Sequence, residues 1–257
     1  MTLQELLSRI DDLKVKLDAA RPLSAGELSQ LREYYKVGLT YTSNALEGNS
    51  LTEVETKVVI EDGLTAGGKP LRDHLEAAGH AEAYDEMMRL AQGKTITEED
   101  VLTLHRLFYQ RLDVAQAGVY RDQQVWISGS EFIPPAPDKV PALMRRLFKK
   151  MPKARRGMRS VSFAAWLHLE LVTIHPFVDG NGRVARLAMN LALLQDGYPV
   201  TIIPPLRRTD YLLALQREQT GRVKEDRNDS FEVFIAECAL DSLADYARML
   251  NLTVPRA

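Results

Sequence analysis

Twelve consecutive residues concentrate the chemistry of this chain: His175-Pro176-Phe177-Val178-Asp179-Gly180-Asn181-Gly182-Arg183-Val184-Ala185-Arg186. Gly180 and Gly182 let the backbone approach a ligand closely, where the apolar periodicity of a helix begins. Free amides at a helix start form an anion site. Arg183 and Arg186, spaced i and i+3, share one face of the first turn. Two cations there oppose the positive end of the helix dipole, so a polyphosphate between them is the natural guest. Asp179 offers a carboxylate oxygen of the kind magnesium favours. His175, held by the rigid Pro176 and anchored through Phe177, is a titratable base. Base, metal carboxylate, anion nest and arginine pair make up a kit for phosphoryl-group transfer. Upstream, Glu47 ends a helix and meets the negative end of its dipole. An acid there wants a cation, and Arg186 is short of an anion whenever no phosphate is bound.

Helical periodicity dominates the elements that must hold these groups. Leu3, Leu6, Leu7, Ile10, Leu13 and Leu17 form an N-terminal stripe. Ser24 with Glu27 opens a second helix running towards Leu46, and Gly48 supplies its stop. Thr52 with Glu55 opens another, ending near Gly63. Further helices are predicted over Leu71–Gln92, Thr97–Leu112, Lys139–Lys150, Ser162–Ile174, Gly182–Gln195, Asp210–Thr220 and Phe231–Leu250. Gly118–Pro135 has a different texture, with β-prone residues around Ser128-Gly129-Ser130, and reads as the one β-hairpin. Lys149–Arg159, basic and broken by Pro152 and Gly157, is predicted as an exposed loop. Gly63 to Lys69 imitates a phosphate-binding Gly-x4-Gly-Lys loop, but Pro70 stands where Ser or Thr must follow. The expected fold is all-α: a helical domain with a small hairpin and an N-terminal helical extension.

The composition excludes several classes. With 257 residues, 33 basic and 35 acidic, the formal net charge is -2, unlike the strongly basic domains that bind nucleic acid. One cysteine, Cys238, excludes an intrachain disulfide and a cysteine zinc site. The start is charged every few residues, unlike a signal peptide, and no apolar run approaches the roughly 20 residues of a membrane helix. A cytoplasmic protein is expected. His74 with His80 and His168 with His175 lack zinc spacing and a third ligand, and His168 reads as a helix-packing residue.

The twelve-residue segment resembles the signature His-x-Phe-x-[Asp/Glu]-Gly-Asn-Gly-Arg-x-x-Arg of Fic-domain proteins, with every specified position filled. The likeness runs from about Leu39 to Phe231–Cys238 and includes Met189-Asn190 and Gly197-Tyr198-Pro199. It implies a Fic-type helical domain over 51–257, preceded by a helical region, 1–50, that carries an inhibitory motif. It also implies an enzyme that transfers AMP from ATP to a Ser, Thr or Tyr hydroxyl of a protein. By that resemblance His175 is the general base and Asp179 holds magnesium across the α- and β-phosphates. The Gly180, Asn181 and Gly182 amides stabilise the transferred group. Arg183 grips the α/β region and Arg186 the γ-phosphate. Asn190 and Tyr211 match positions near the nucleoside, while Gln219 replaces an Asn common in relatives. The hairpin at 118–135 matches the family's flap, where a target strand would dock, with Ser128 and Gly129 touching the nucleotide.

Ser43, Glu47 and Gly48 fit the family's inhibitory motif, [Ser/Thr]-x-x-x-Glu-[Gly/Asn], which implies a brake in which Glu47 pairs with Arg186. In some relatives the equivalent Glu instead serves AMP removal. Other phosphoryl transfers share the site, although kinase-like Doc relatives usually carry Lys where this chain has Gly182. A non-catalytic ATP-binding module would be expected to lack His175 or Asp179, and both are present. The expected partners are a protein target and the chain itself through auto-modification, with a homodimer as a further candidate. Neither nucleic acid nor membrane is expected.

Overall fold

Side-chain caps decide where the helices begin. Thr2, Ser24, Thr52 and Thr97 each accept the amide three residues on, while Glu5, Glu27, Glu55 and Asp100 reach back to the capping amide. The computed structural model describes residues 1–20, 23–221 and 230–252. Among these, ten α-helices follow one another: α1 (Leu3–Ala19), α2 (Ala25–Ala45), α3 (Glu53–Lys57), α4 (Leu71–Leu90), α5 (Glu98–Tyr109), α6 (Val140–Gly157), α7 (Ser160–Ile174), α8 (Asn181–Gln195), α9 (Arg208–Gln219) and α10 (Phe231–Met249). After α3 the chain winds through a π turn, Val58–Asp62, which Gly63 ends in the left-handed region at φ 67°. No described helix is long and apolar enough to cross a membrane.

Helices α7 and α8 lie at the centre because their sequences are apolar on nearly every side. Phe163, Ala164, Leu167, Leu187, Ala188, Met189 and Leu191 are fully buried. The pair packs together, with α10 on α7, α1 on α10, and α4 meeting α2, α5 and α8. The α1 stripe of Leu6, Leu7, Ile10, Leu13 and Leu17 is the face that enters the core.

Two expectations need correction. Among the described residues there is no strand, so the segment 118–135 is not a β-hairpin. It does turn at Ser128-Gly129, with Gly129 at φ 76° and the Ser130 amide on the Ile127 carbonyl (3.1 Å). The Gln124 side-chain amide joins its arms, donating to the Val125 and Pro134 carbonyls at 3.1 Å each. A lone two-stranded ribbon is marginal, and Pro134 and Pro135 cannot donate to a ladder. The second correction concerns Lys149–Arg159, which is mostly the last turns of α6. Val140, Met144, Leu147 and Met151 keep an apolar helical spacing up to Pro152, and that packing overrides the breaker. Arg155 then fastens the end of the helix to Gln195 (2.7 Å) and Asp196 (2.6 Å).

Candidate active site

The α7–α8 connection presents the functional turn. His175 caps α7 in the left-handed region, φ 53° and ψ 60°, an uncommon place for a residue with a Cβ. Its Nδ1–H donates to the Val172 carbonyl (3.1 Å), which leaves Nε2 with its lone pair. Burial lowers the His175 pKa, partly opposed by that hydrogen bond, so the ring is neutral near pH 7. Asn181 holds the turn closed: its Oδ1 accepts the Phe177 amide and its Nδ2 donates to the Phe177 carbonyl, both at 2.9 Å. Its side chain is thereby spent on the turn. Gly180, at φ 77°, lies against Phe108, where a Cβ would come within 2.7 Å of the ring.

Two acids and two arginines meet above this turn. The Nη2 of Arg186, a fully buried side chain, donates to Glu47 Oε1 (2.7 Å) and to the Ser43 carbonyl (2.8 Å). Its Nε donates to Ser43 Oγ (2.9 Å) and its Nη1 to the Tyr211 hydroxyl (3.1 Å). The Glu47 carboxylate rests on the first turn of α8, and only a glycine permits this: a Cβ on Gly182 would stand 2.2 Å from Glu47 Oε1. Burial by itself would raise the Glu47 pKa, but Arg186 and then Arg183 outweigh it and hold the carboxyl below its usual range. Gly48 leaves this corner at φ 95°, and Arg208 Nε from α9 donates to the Leu46 carbonyl (2.7 Å). That cation offsets the unfavourable dipole end that sequence reasoning assigned to Glu47.

Arg183 is also buried, its guanidinium 4.5 Å from the Phe108 ring centroid and within 3.2 Å of Glu76 and 3.3 Å of Asp179. Asp179 also accepts the Gly180 amide (2.6 Å) and Arg72 Nη2 (2.5 Å). Burial would raise its pKa, but Arg183, the Gly180 amide and Arg72 prevail, and the carboxyl is held below its usual value. An ionised carboxylate at the mouth of an anion nest suits magnesium. Among the described residues no cluster of three or more His, Cys, Asp or Glu could hold a metal by itself, so a cation here would take most of its ligands from phosphate and water.

The structure does not bring every expected residue to the surface of the site. Asn190 is fully buried, bonded to the Arg186 carbonyl (3.0 Å) and to both backbone groups of Thr201 (3.1 and 2.7 Å). Tyr211 accepts from Arg186 and turns its own hydroxyl proton to His168 Nε2 (3.1 Å). Ser128 and Gly129 form the exposed tip of 118–135, and Gln219 lies against Val172 and Thr173. Sequence reasoning missed Arg121, a fully buried cation whose Nε donates to the His175 carbonyl (2.8 Å), Nη1 to Gln123 (2.9 Å) and Nη2 to Pro135 (2.5 Å). It also missed Arg72, Glu76 and His105. Glu76 and His105 signal only as polar residues on helix faces that otherwise read as core, and Arg72 only as an i,i+4 partner of Glu76. The false Gly63–Lys69 loop is an ordinary turn whose lysine pairs with Glu55 (3.3 Å).

Comparison with known proteins places this geometry among relatives. Residues 95–193 match the Fic/DOC family. A protein adenylyltransferase Fic of Nematostella vectensis is 33% identical over 249 residues, covering 95% of this chain and 56% of that protein. The chain spans about half the length of the curated relatives it matches. A Fic domain containing signaling protein from Bacteroides thetaiotaomicron superposes with a TM-score of 0.82 at 28% identity, over 97% of this chain and 99% of that one. Fic-1 from C. elegans gives a TM-score of 0.82 at 27% identity, over 95% and 71% respectively.

Proposed function

We infer that this chain, whose residues 95–193 match the Fic/DOC family, transfers AMP from ATP to a hydroxyl side chain of a protein and is restrained by Glu47. One observation carries this reading: a carboxylate, Glu47, lies on the amide-lined start of α8 with Arg186 around it, where a phosphate group of ATP would sit. In the step itself, His175 Nε2 takes the proton of a target hydroxyl, and that oxygen bonds to the α-phosphorus. The bond from the α-phosphorus to the pyrophosphate oxygen breaks, and pyrophosphate leaves. Asp179 would hold magnesium entering with the nucleotide, which neutralises phosphate charge. The amides at the start of α8, Asn181 and Gly182, take up charge on the transferred group. Arg183 grips the α/β region, and Arg186 exchanges Glu47 for the γ-phosphate. An extended target segment would lie along 118–135, where Trp126 and Ile133 are exposed.

The test uses ATP labelled at the α-phosphate, with magnesium and the purified chain as its own acceptor. Label should accumulate strongly in Glu47→Gly, weakly in the wild type, and not at all in Glu47→Gly with His175→Ala. Incorporation from γ-labelled ATP instead, or undiminished α-label without His175, overturns the reading.

A further inference from the structure

His105, on the third turn of α5, belongs to none of the roles assigned so far. It is fully buried, and every edge of its ring is used. The Gly118 amide, at the base of the 118–135 segment, donates to its Nδ1 (2.9 Å). That bond requires an unprotonated Nδ1, so the ring proton is on Nε2, which donates to the Asp179 carbonyl (3.1 Å). The ring face lies on Phe177 with centroids 3.7 Å apart and planes 2° from parallel, and Tyr109 stacks at 5.2 Å. The missing side chain of Gly180 extends the same platform, since its Cβ would meet His105 Cδ2 at 3.5 Å and Phe108 more closely. One imidazole thus joins the base of the flap segment to the backbone of the phosphate-binding turn. Nothing about core packing alone requires a ring with one donor and one acceptor here. Phenylalanine would fill the space.

We propose that His105 is a positioning residue that sets the phosphate-binding turn and the flap base in register, through its Nε2–H···Asp179 and Gly118···Nδ1 hydrogen bonds. The Asp179 carbonyl belongs to the peptide whose N–H, on Gly180, holds the Asp179 carboxylate (2.6 Å), and it opens the turn into the amides at the start of α8. Fixing that carbonyl fixes the direction of those amides. Fixing Gly118 sets where the segment that lies beside His175 begins. Geometric effects of this kind act on turnover rather than on the charge pairs that hold the nucleotide. The catalytic consequence rests on the AMP-transfer reading, whereas the two-armed linkage does not.

The two arms can be separated. In His105→Asn, the amide oxygen replaces Nδ1 and keeps Gly118, while the Asp179 arm is lost. In His105→Gln, the amide nitrogen replaces Nε2 and keeps Asp179, while Gly118 is released. Hydrogen exchange should therefore rise around 177–183 in His105→Asn and around 118–124 in His105→Gln, each leaving the other segment protected. His105→Phe should open both, with melting recorded to show that it folds. In the wild type, nitrogen-15 NMR of the ring should report an Nε2–H tautomer at neutral pH. In the Glu47→Gly background, each variant should lower kcat for auto-modification on the order of tenfold while leaving KM for ATP nearly unchanged. A uniform rise in exchange along the chain in both single-arm variants, or an Nδ1–H tautomer in the wild type, would overturn the proposal. If Glu47→Gly itself transfers no AMP, the functional reading fails alone, and exchange and tautomer still decide the role of His105.

Discussion

Two local features of His175 act together in favour of the proton abstraction proposed for it. The Val172 carbonyl can only accept, so it selects the Nδ1–H tautomer and leaves Nε2 basic. Burial lowers the pKa, and the ring therefore remains unprotonated at lower pH than an ordinary histidine. The proposed transfer needs the neutral form, so its rate should be full at neutral pH and fall as pH drops through the lowered value. In the Glu47→Gly variant the acidic limb should have its inflection below 6.5, with saturating ATP and magnesium throughout. Asp179 titrates below the ordinary carboxylate range and stays ionised across that window. An inflection at or above 6.5 would mean that the base is more exposed than the structure has it. His175, Asp179 and the two arginines were all legible in the sequence, because twelve contiguous residues carried them. Arg72 and Glu76 were not. They reach the turn from α4 across the fold, and their types and spacing alone predict only an i,i+4 ion pair on one helix.

The helices were legible for a different reason. Capping boxes and apolar spacing are local signals, and Thr2, Ser24, Thr52 and Thr97 begin helices where the pattern placed them. Where a local signal conflicted with packing, packing prevailed, as at Pro152 inside α6. The segment 118–135 failed in the other direction: β-prone residues without a partner strand make no ladder. Its shape comes instead from Arg121, whose guanidinium bonds the carbonyls of Gln123 and Pro135 at its two ends and of His175 at the end of α7. Arg121→Ala leaves three carbonyls without that donor, each costing about 1–3 kcal/mol if it remains buried. Such a penalty should be relieved by opening the segment rather than unfolding the core. Limited proteolysis should then cut within 118–135 in Arg121→Ala well before the wild type, and auto-modification should fall with it. Equal protease resistance in the two proteins would show that the segment is held by something other than Arg121.

Across the whole molecule, the site is a meeting of distant parts of the chain. Glu47 lies in the turn just after α2, Arg186 lies in the buried α8, Tyr211 comes from α9, and Arg208 caps α2 from the start of α9. This convergence would make the proposed brake a term in the stability of the fold as well as in catalysis. Without nucleotide, Glu47 supplies the anion that a buried arginine requires, and removing it leaves that charge less well paired. Because the Glu47 side chain is 35% exposed, the pair deserves a surface-discounted value of about 1 kcal/mol. For a chain of this size that corresponds to a melting temperature lower by roughly 2–4 °C in Glu47→Gly. ATP with magnesium should reverse the order. The γ-phosphate meets a free Arg186 in the variant, whereas in the wild type it must first displace a carboxylate. A nucleotide present at about a hundred times its Kd stabilises by about 2.7 kcal/mol, and competition from Glu47 subtracts from that figure. The melting shift on adding ATP should therefore be larger in Glu47→Gly than in the wild type, with Glu47→Gln intermediate because it keeps the contact but not the charge. Equal shifts in all three proteins would mean that Glu47 and the nucleotide do not compete for Arg186, and that restraint, if present, acts on the pose of the phosphates alone.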